Sequence, residues 1–99
     1  MLLDVVFPIE PFNTAVRNGT VGETMGKILE SIKPESVYFT EHDGHRGAVL
    51  IVNLDNPSQI PALAEPFFLK FNAECRIRIA MSVEDLKRGG LAELGKKWD

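Results

Sequence analysis

The chain has 99 residues, a formal net charge of −3, 44% hydrophobic and 25% charged residues. This is the composition of one small globular domain and excludes a disordered chain. The acidic balance argues against a general nucleic-acid binder, and the aromatic residues are not interleaved with basic ones as a stacking surface would need.

The N-terminal MLLDVVFPIE has no basic region followed by an apolar run, and Asp4 interrupts it early. It reads as a strand and not as a signal peptide or membrane anchor, so a cytoplasmic protein without a membrane partner is expected. In the strand Leu2 to Phe7, Leu3, Val5 and Phe7 point one way, and Leu2, Asp4 and Val6 the other. Pro8 and Pro11 end the extended structure, and Pro11 suits the first turn of a helix through Arg17. Asn18–Gly19 breaks that helix. Thr20 with Glu23 reads as a capping box restarting a helix to about Lys33. Its apolar positions Val21, Met25, Ile28, Leu29 and Ile32 form one buried stripe. Gly22 and Gly26, four apart, read as a close-packing notch against a sheet.

Pro34 closes this helix, and Ser36 to Glu41 is a β-branched and aromatic strand. Asp43–Gly44 is a strong hairpin signal before the apolar strand Arg46 to Leu54. A two-residue turn pairs His42 with His45 and Glu41 with Arg46, setting Val37, Phe39, Ala48, Leu50 and Val52 on one face. The other face then carries Tyr38, Thr40, Gly47, Val49, Ile51 and Asn53; a slip of one residue would exchange the two sets. A second helical region starts at Asp55–Ser58. Its stripe is Ile60, Leu63, Ala64, Phe67 and Phe71, with Pro61 and Pro66 expected to kink or segment it. A strand Glu74 to Met81 follows, alternating Cys75, Ile77, Ile79 and Met81 with Glu74, Arg76, Arg78 and Ala80. Ser82 with Asp85 opens a short helix that Gly89–Gly90 ends, and Leu91 to Trp98 reads as a final turn or tail.

The order βαββαβ plus a C-terminal helix predicts an α+β fold: a single ferredoxin-like domain over residues 1–99, with a four-stranded antiparallel sheet and helices on one face. The apolar set for the helices is Leu3, Val5, Phe7, Val37, Phe39, Leu50, Val52, Cys75, Ile77 and Ile79. The opposite face is too apolar to leave in water and too polar for an ordinary core. A homodimer formed through this sheet face would cover it and enclose a space with a few convergent polar groups, the anatomy of a small-molecule pocket.

The segments PFNTAVRNGTVGE, KPESVYFTE, RGAVLIV, IPALAEPFFLKFNAECRIRIAMSVEDL and LGKKW span nearly the whole chain. In them the sequence resembles a group of small, functionally uncharacterised bacterial proteins of the dimeric α/β-barrel type, some of which are described as pantothenate synthetases. The resemblance implies ferredoxin-like protomers pairing through their sheets, similar to muconolactone isomerases and antibiotic-biosynthesis monooxygenases. The sheet-lined cavity is expected to bind a small anionic or aromatic metabolite, and, if the protein is an enzyme, the architecture suggests by analogy cofactor-free isomerisation or oxygenation. A nucleotide-dependent ligation finds no support in Gly22 to Lys27. A phosphate loop needs four residues between its glycines and a Ser or Thr after the lysine, and this stretch has three and then Ile28.

Arg76 and Arg78 are the leading ligand-binding candidates, because a guanidinium presents a planar fork to carboxylate or phosphate and stays charged. Thr40, Asn53 and Asp4 share their face as further ligand-binding positions, with Tyr38 as a hydrogen-bonding neighbour. The competing role for the arginines is ion pairing with Asp4 and Glu74 or with acids of another copy, which would make the face an interaction surface without catalysis. Tyr38 and His42 are the candidate catalytic residues, as groups able to move a proton. His42 and His45, with Glu41 and Asp43, could share a metal across the hairpin, but the same composition describes a solvated hairpin tip, and no metal or cofactor is expected. Phe67 and Phe71 lie on the helical stripe and belong to the core; Phe68 falls off it and is the aromatic candidate for ligand contact. Cys75, the single cysteine, excludes an intramolecular disulfide and a cysteine zinc site, and reads as a buried hydrophobe. Trp98 needs a cover, for which a dimer partner is a plausible source.

Overall fold

A computed structural model describes all 99 residues. Strands β1 (Leu2–Phe7), β2 (Ser36–His42), β3 (His45–Ile51) and β4 (Glu74–Arg78) form one antiparallel sheet in the order β2-β3-β1-β4. Helices α1 (Ile9–Arg17), α2 (Val21–Ile32) and α3 (Ile60–Phe71) supply the layer on one face, and α4 (Val83–Arg88) and α5 (Leu91–Lys97) follow β4. This is the ferredoxin-like split arrangement. No helix is long and apolar enough to cross a membrane.

Period-two alternation decides which strand residues meet the helices. Leu3, Val5 and Phe7 of β1 and Ala48 and Leu50 of β3 are buried against Met25 and Ile28 of α2 and Leu63, Phe67 and Phe71 of α3. Phe7 holds the end of this core together. Its ring lies edge-on to Phe12, Phe67 and Phe71 with centroids 5.1, 6.2 and 5.3 Å away. The Arg46 guanidinium caps the Phe12 ring at 4.4 Å, a cation–π contact that closes the aromatic cluster toward solvent.

The hairpin turns as its sequence requires: Asp43 and Gly44 take φ of 49° and 81°, and His42 pairs with His45 and Glu41 with Arg46. Positive φ at both central residues is the reason for the Asp-Gly pair. The Ser82–Asp85 capping box forms in both directions, each bond 3.1 Å long.

Several expectations are corrected. Thr20 and Glu23 make no capping box: the Thr20 hydroxyl and backbone N–H both donate to Asn18 Oδ1, at 2.6 and 3.1 Å. Gly22 and Gly26 are not a packing notch, because a Cβ at either would meet nothing within 4 Å. Pro61 and Pro66 do not segment α3. Pro61 sits in the first turn, where its missing N–H costs nothing, and burial of Leu63, Ala64, Phe67 and Phe71 carries the helix through Pro66. Strand β4 stops at Arg78, not Met81. Its ladder with β1 ends at the Leu2–Arg78 pair, Met1 bonding instead to Val52 on the β3 side, and Ile79 is 89% exposed and outside the core. Phe39 has the expected parity but is 58% exposed, since the helical layer does not reach across edge strand β2. The C-terminal Leu91–Lys97 is a helix.

Candidate functional site

The sheet face opposite the helices is laid out in four-residue rows by strand register. One row runs Ser36–Ile51–Leu2–Arg78, the next Tyr38–Val49–Asp4–Arg76, and the third Thr40–Gly47–Val6–Glu74. His42 and His45 extend the same face beyond the third row. The face is therefore apolar along its middle strands, Asp4 excepted, and charged along β4.

A cleft of about 270 Å³ lies at the hairpin end of this face, lined by Val6, Pro8, His42, Asp43, His45, Asn72, Glu74 and Arg76. Three elements bring these residues together. The tight turn returns β3 beside β2 and sets His45 against His42. Asn72, in the left-handed conformation that ends α3 (φ 53°), turns the chain into β4. The alternation of β4 then lifts Glu74 and Arg76, but not Cys75, to this side. His42 Nε2 lies 3.6 Å from Asp43 Oδ2, and His45 Nδ1 lies 3.3 Å from the Asp43 carbonyl oxygen. The Gly44 N–H donates to Glu41 Oε2 at 3.0 Å, which fixes the turn. No three of the His, Cys, Asp and Glu side chains converge as a set that could hold a metal ion.

The two arginines differ. Arg78 Nη2 donates to Asp4 Oδ2 at 2.8 Å, reaching diagonally across the β1–β4 pair. Asp4, which faces Arg76 in register, is thus engaged by Arg78. Arg76 has only the long 4.0 Å approach of Glu74 Oε2 and stands on the cleft wall as the less neutralised cation. An anion arriving there meets a guanidinium fork with donors to spare.

The remaining sequence candidates lie elsewhere. Tyr38 and Thr40 are exposed on β2 of the same face. Tyr38 shares a row with Arg76 but stands three strand spacings away, about 14 Å between backbones. Asn53 lies past the end of β3, where its amide donates to Glu35 Oε1 at 2.6 Å. Phe68 is on α3, in the layer that the sheet separates from the open face. Cys75 points to the helix side and is half-buried. Burial, with a smaller contribution from the Glu65 carboxylate, pushes its thiol up to about 11, so it is not a nucleophile at neutral pH. Sequence reasoning did not single out Val6, Pro8 and Asn72 as cleft residues. The available signal was the Asn-Ala pair between a helical stripe and an alternating strand, where asparagine is a common helix terminator.

No protein-family model, curated protein or solved structure matches the chain.

Proposed function

We propose that the protein is a homodimer formed through its open sheet faces, which binds a small anionic or aromatic organic molecule between them with Arg76 as the anion anchor. The carrying observation is the difference between the arginines: Arg78 is held by Asp4 at 2.8 Å, whereas Arg76 faces the cleft that also contains His42 and His45. The cleft is open and slightly below the usual volume range for small-molecule sites. A second sheet laid over it would enclose it and exclude water, which strengthens a guanidinium–carboxylate contact. His42 is then the group that moves a proton, within a cofactor-free isomerisation or oxygenation. Tyr38 is too far from Arg76 of its own chain to act on the same small substrate, and would act in the cleft of a facing copy.

A non-catalytic interaction module is the second reading, favoured by the Asp4–Arg78 pair and the Glu74–Arg76 approach, which already balance charge within the face. A thermal-shift titration with benzoate, succinate and inorganic phosphate separates the two. The native state gains stability by mass action from any ligand that binds it alone. Millimolar benzoate or succinate is expected to raise the melting temperature of the wild type and of the surface control Arg17→Ala, but not of Arg76→Ala. No shift with any probe, or a shift that survives Arg76→Ala, would leave the interaction module as the better account.

A further inference from the structure

The C-terminal arm, residues 79–99, has no core of its own. Helices α4 and α5 contain no buried residue. Ile79, Met81, Val83, Leu86, Leu91, Leu94 and Trp98 are all exposed, Trp98 at 76%. In α5 and its C-cap, Leu91, Leu94 and Trp98 fall at i, i+3 and i+7, one helical face. Helices of six and seven residues are far shorter than the roughly 12–15 that are even marginal in isolation. They need a surface to pack on, and their own protomer does not provide it. The arm instead draws the molecule out to 60 Å, with a radius of gyration of 17.1 Å against about 13 Å for a compact chain of this length.

We infer that the arm packs on a second copy of this chain, seating the Leu91–Leu94–Trp98 stripe in the apolar groove beside the partner's β2 edge. That groove, about 420 Å³, is lined by Phe7, Phe12, Phe39, Thr40, Arg46 and Gly47. It is where Phe39 lies uncovered although it faces the helical side of the sheet. Three observations select a second copy as the occupant. The Leu91, Leu94 and Trp98 side chains expose on the order of 360 Å², taking about 200 Å² for one fully exposed large side chain. In a reciprocal exchange each chain buries one stripe and one groove, roughly 700 Å², close to the about 800 Å² per partner of a standard interface. From Val83 to Asp99 the arm carries four acids and four bases, a balance that selects neither a polyanion nor a polycation. Both the donor stripe and the receiving groove occur on every chain, so one two-fold exchange satisfies all of them and closes the assembly.

The proposal rests on the homodimer reading and adds the arm to it. It is tested by sedimentation equilibrium on the full chain, comparing wild type, Leu91→Ser/Leu94→Ser/Trp98→Ser, Phe39→Ser and the combination. All four positions are solvent-exposed in the protomer, and circular dichroism melting checks that each variant is folded. Each set is expected to weaken self-association by about 100-fold, as for loss of a hot-spot contact. The combination is expected to be little worse than either, because both sets remove the same contact. A dimer unchanged by the arm or Phe39 substitutions would overturn the arm exchange and leave the sheet-to-sheet dimer standing. A wild type that is monomeric at every concentration would overturn both. Hydrogen exchange supplies an independent readout: amides of residues 83–97 are expected to be protected in the dimer and to lose protection on dilution. Protection that is independent of concentration would place the arm on its own protomer and contradict the exchange.

Discussion

The two faces of the sheet are built by the same four strands, yet one is closed by the chain and the other is not. On the helix side Leu3, Val5, Phe7 and Leu50 are at most 1% exposed. On the other side Val6, Val49 and Ile51 are only half-buried, and Tyr38, Arg76 and Arg78 are exposed. Helices α1 to α3 account for the first face. Helices α4 and α5 do not cover the second and leave the body instead. A chain of this size has little core to spare, and the apolar surface on the open face and on the detached arm is surface that folding of one chain leaves uncovered.

Substitutions on the two faces should separate these sources of stability. The largest effect is expected at Phe67, which is completely buried: Phe67→Ala should cost about 3–5 kcal/mol in urea unfolding, at any protein concentration. Arg78→Ala sharpens the contrast. Were the Asp4–Arg78 pair simply exposed, its loss would cost roughly 0.2–1 kcal/mol. Covered by a second sheet, breaking it should cost about 3 kcal/mol, and only where the protein is dimeric. A cost below 1 kcal/mol at dimer-forming concentrations would count against the covered face. Ser82→Ala removes the cap of α4 and is expected to cost about 1 kcal/mol of local helix stability, visible as faster amide exchange over 83–88 with no change in the body.

The smallest effect is a pH response of the same helix. Hydrogen bonds from the Ser82 backbone, the Arg88 guanidinium and the Ser82 hydroxyl lower the Asp85 carboxyl below the usual aspartate value. A carboxyl depressed by folding stabilises the folded form above the unfolded pKa and loses that contribution as pH falls through the folded one. Fraying of α4 should therefore begin below about pH 4 and be followed by the Val83–Arg88 amide resonances. Asp85→Asn should abolish this transition; a transition that persists would assign it to another group.

Much of the fold is legible in the sequence because it depends on short-range chemistry. The alternation of Leu3, Val5 and Phe7, the Asp43–Gly44 turn and the Met25–Ile28 stripe each act within a few residues, and each places its side chains as expected. The corrections arise where distant partners decide. The alternation of β4 continues through Ile79 and Met81, but its ladder with β1 ends at the Leu2–Arg78 pair, and Met1 bonds to Val52 on the β3 side instead. The parity of Phe39 was legible; the reach of the helical layer over β2 was not. The candidate cleft brings His42 to Arg76 across 34 positions of sequence. Which arginine is engaged by Asp4 depends on a diagonal contact between strands that no local pattern encodes.

The most direct test of the account is whether the open face is an interface. Val49 lies near its centre, between Tyr38 and Asp4 in register. A lysine there would place a charge in the middle of any sheet-to-sheet contact while leaving the helix-side core untouched. Sedimentation velocity is expected to show a wild-type dimer and a folded Val49→Lys monomer at the same concentration. A wild-type monomer, or a Val49→Lys variant that dimerises as tightly as the wild type, would contradict the account.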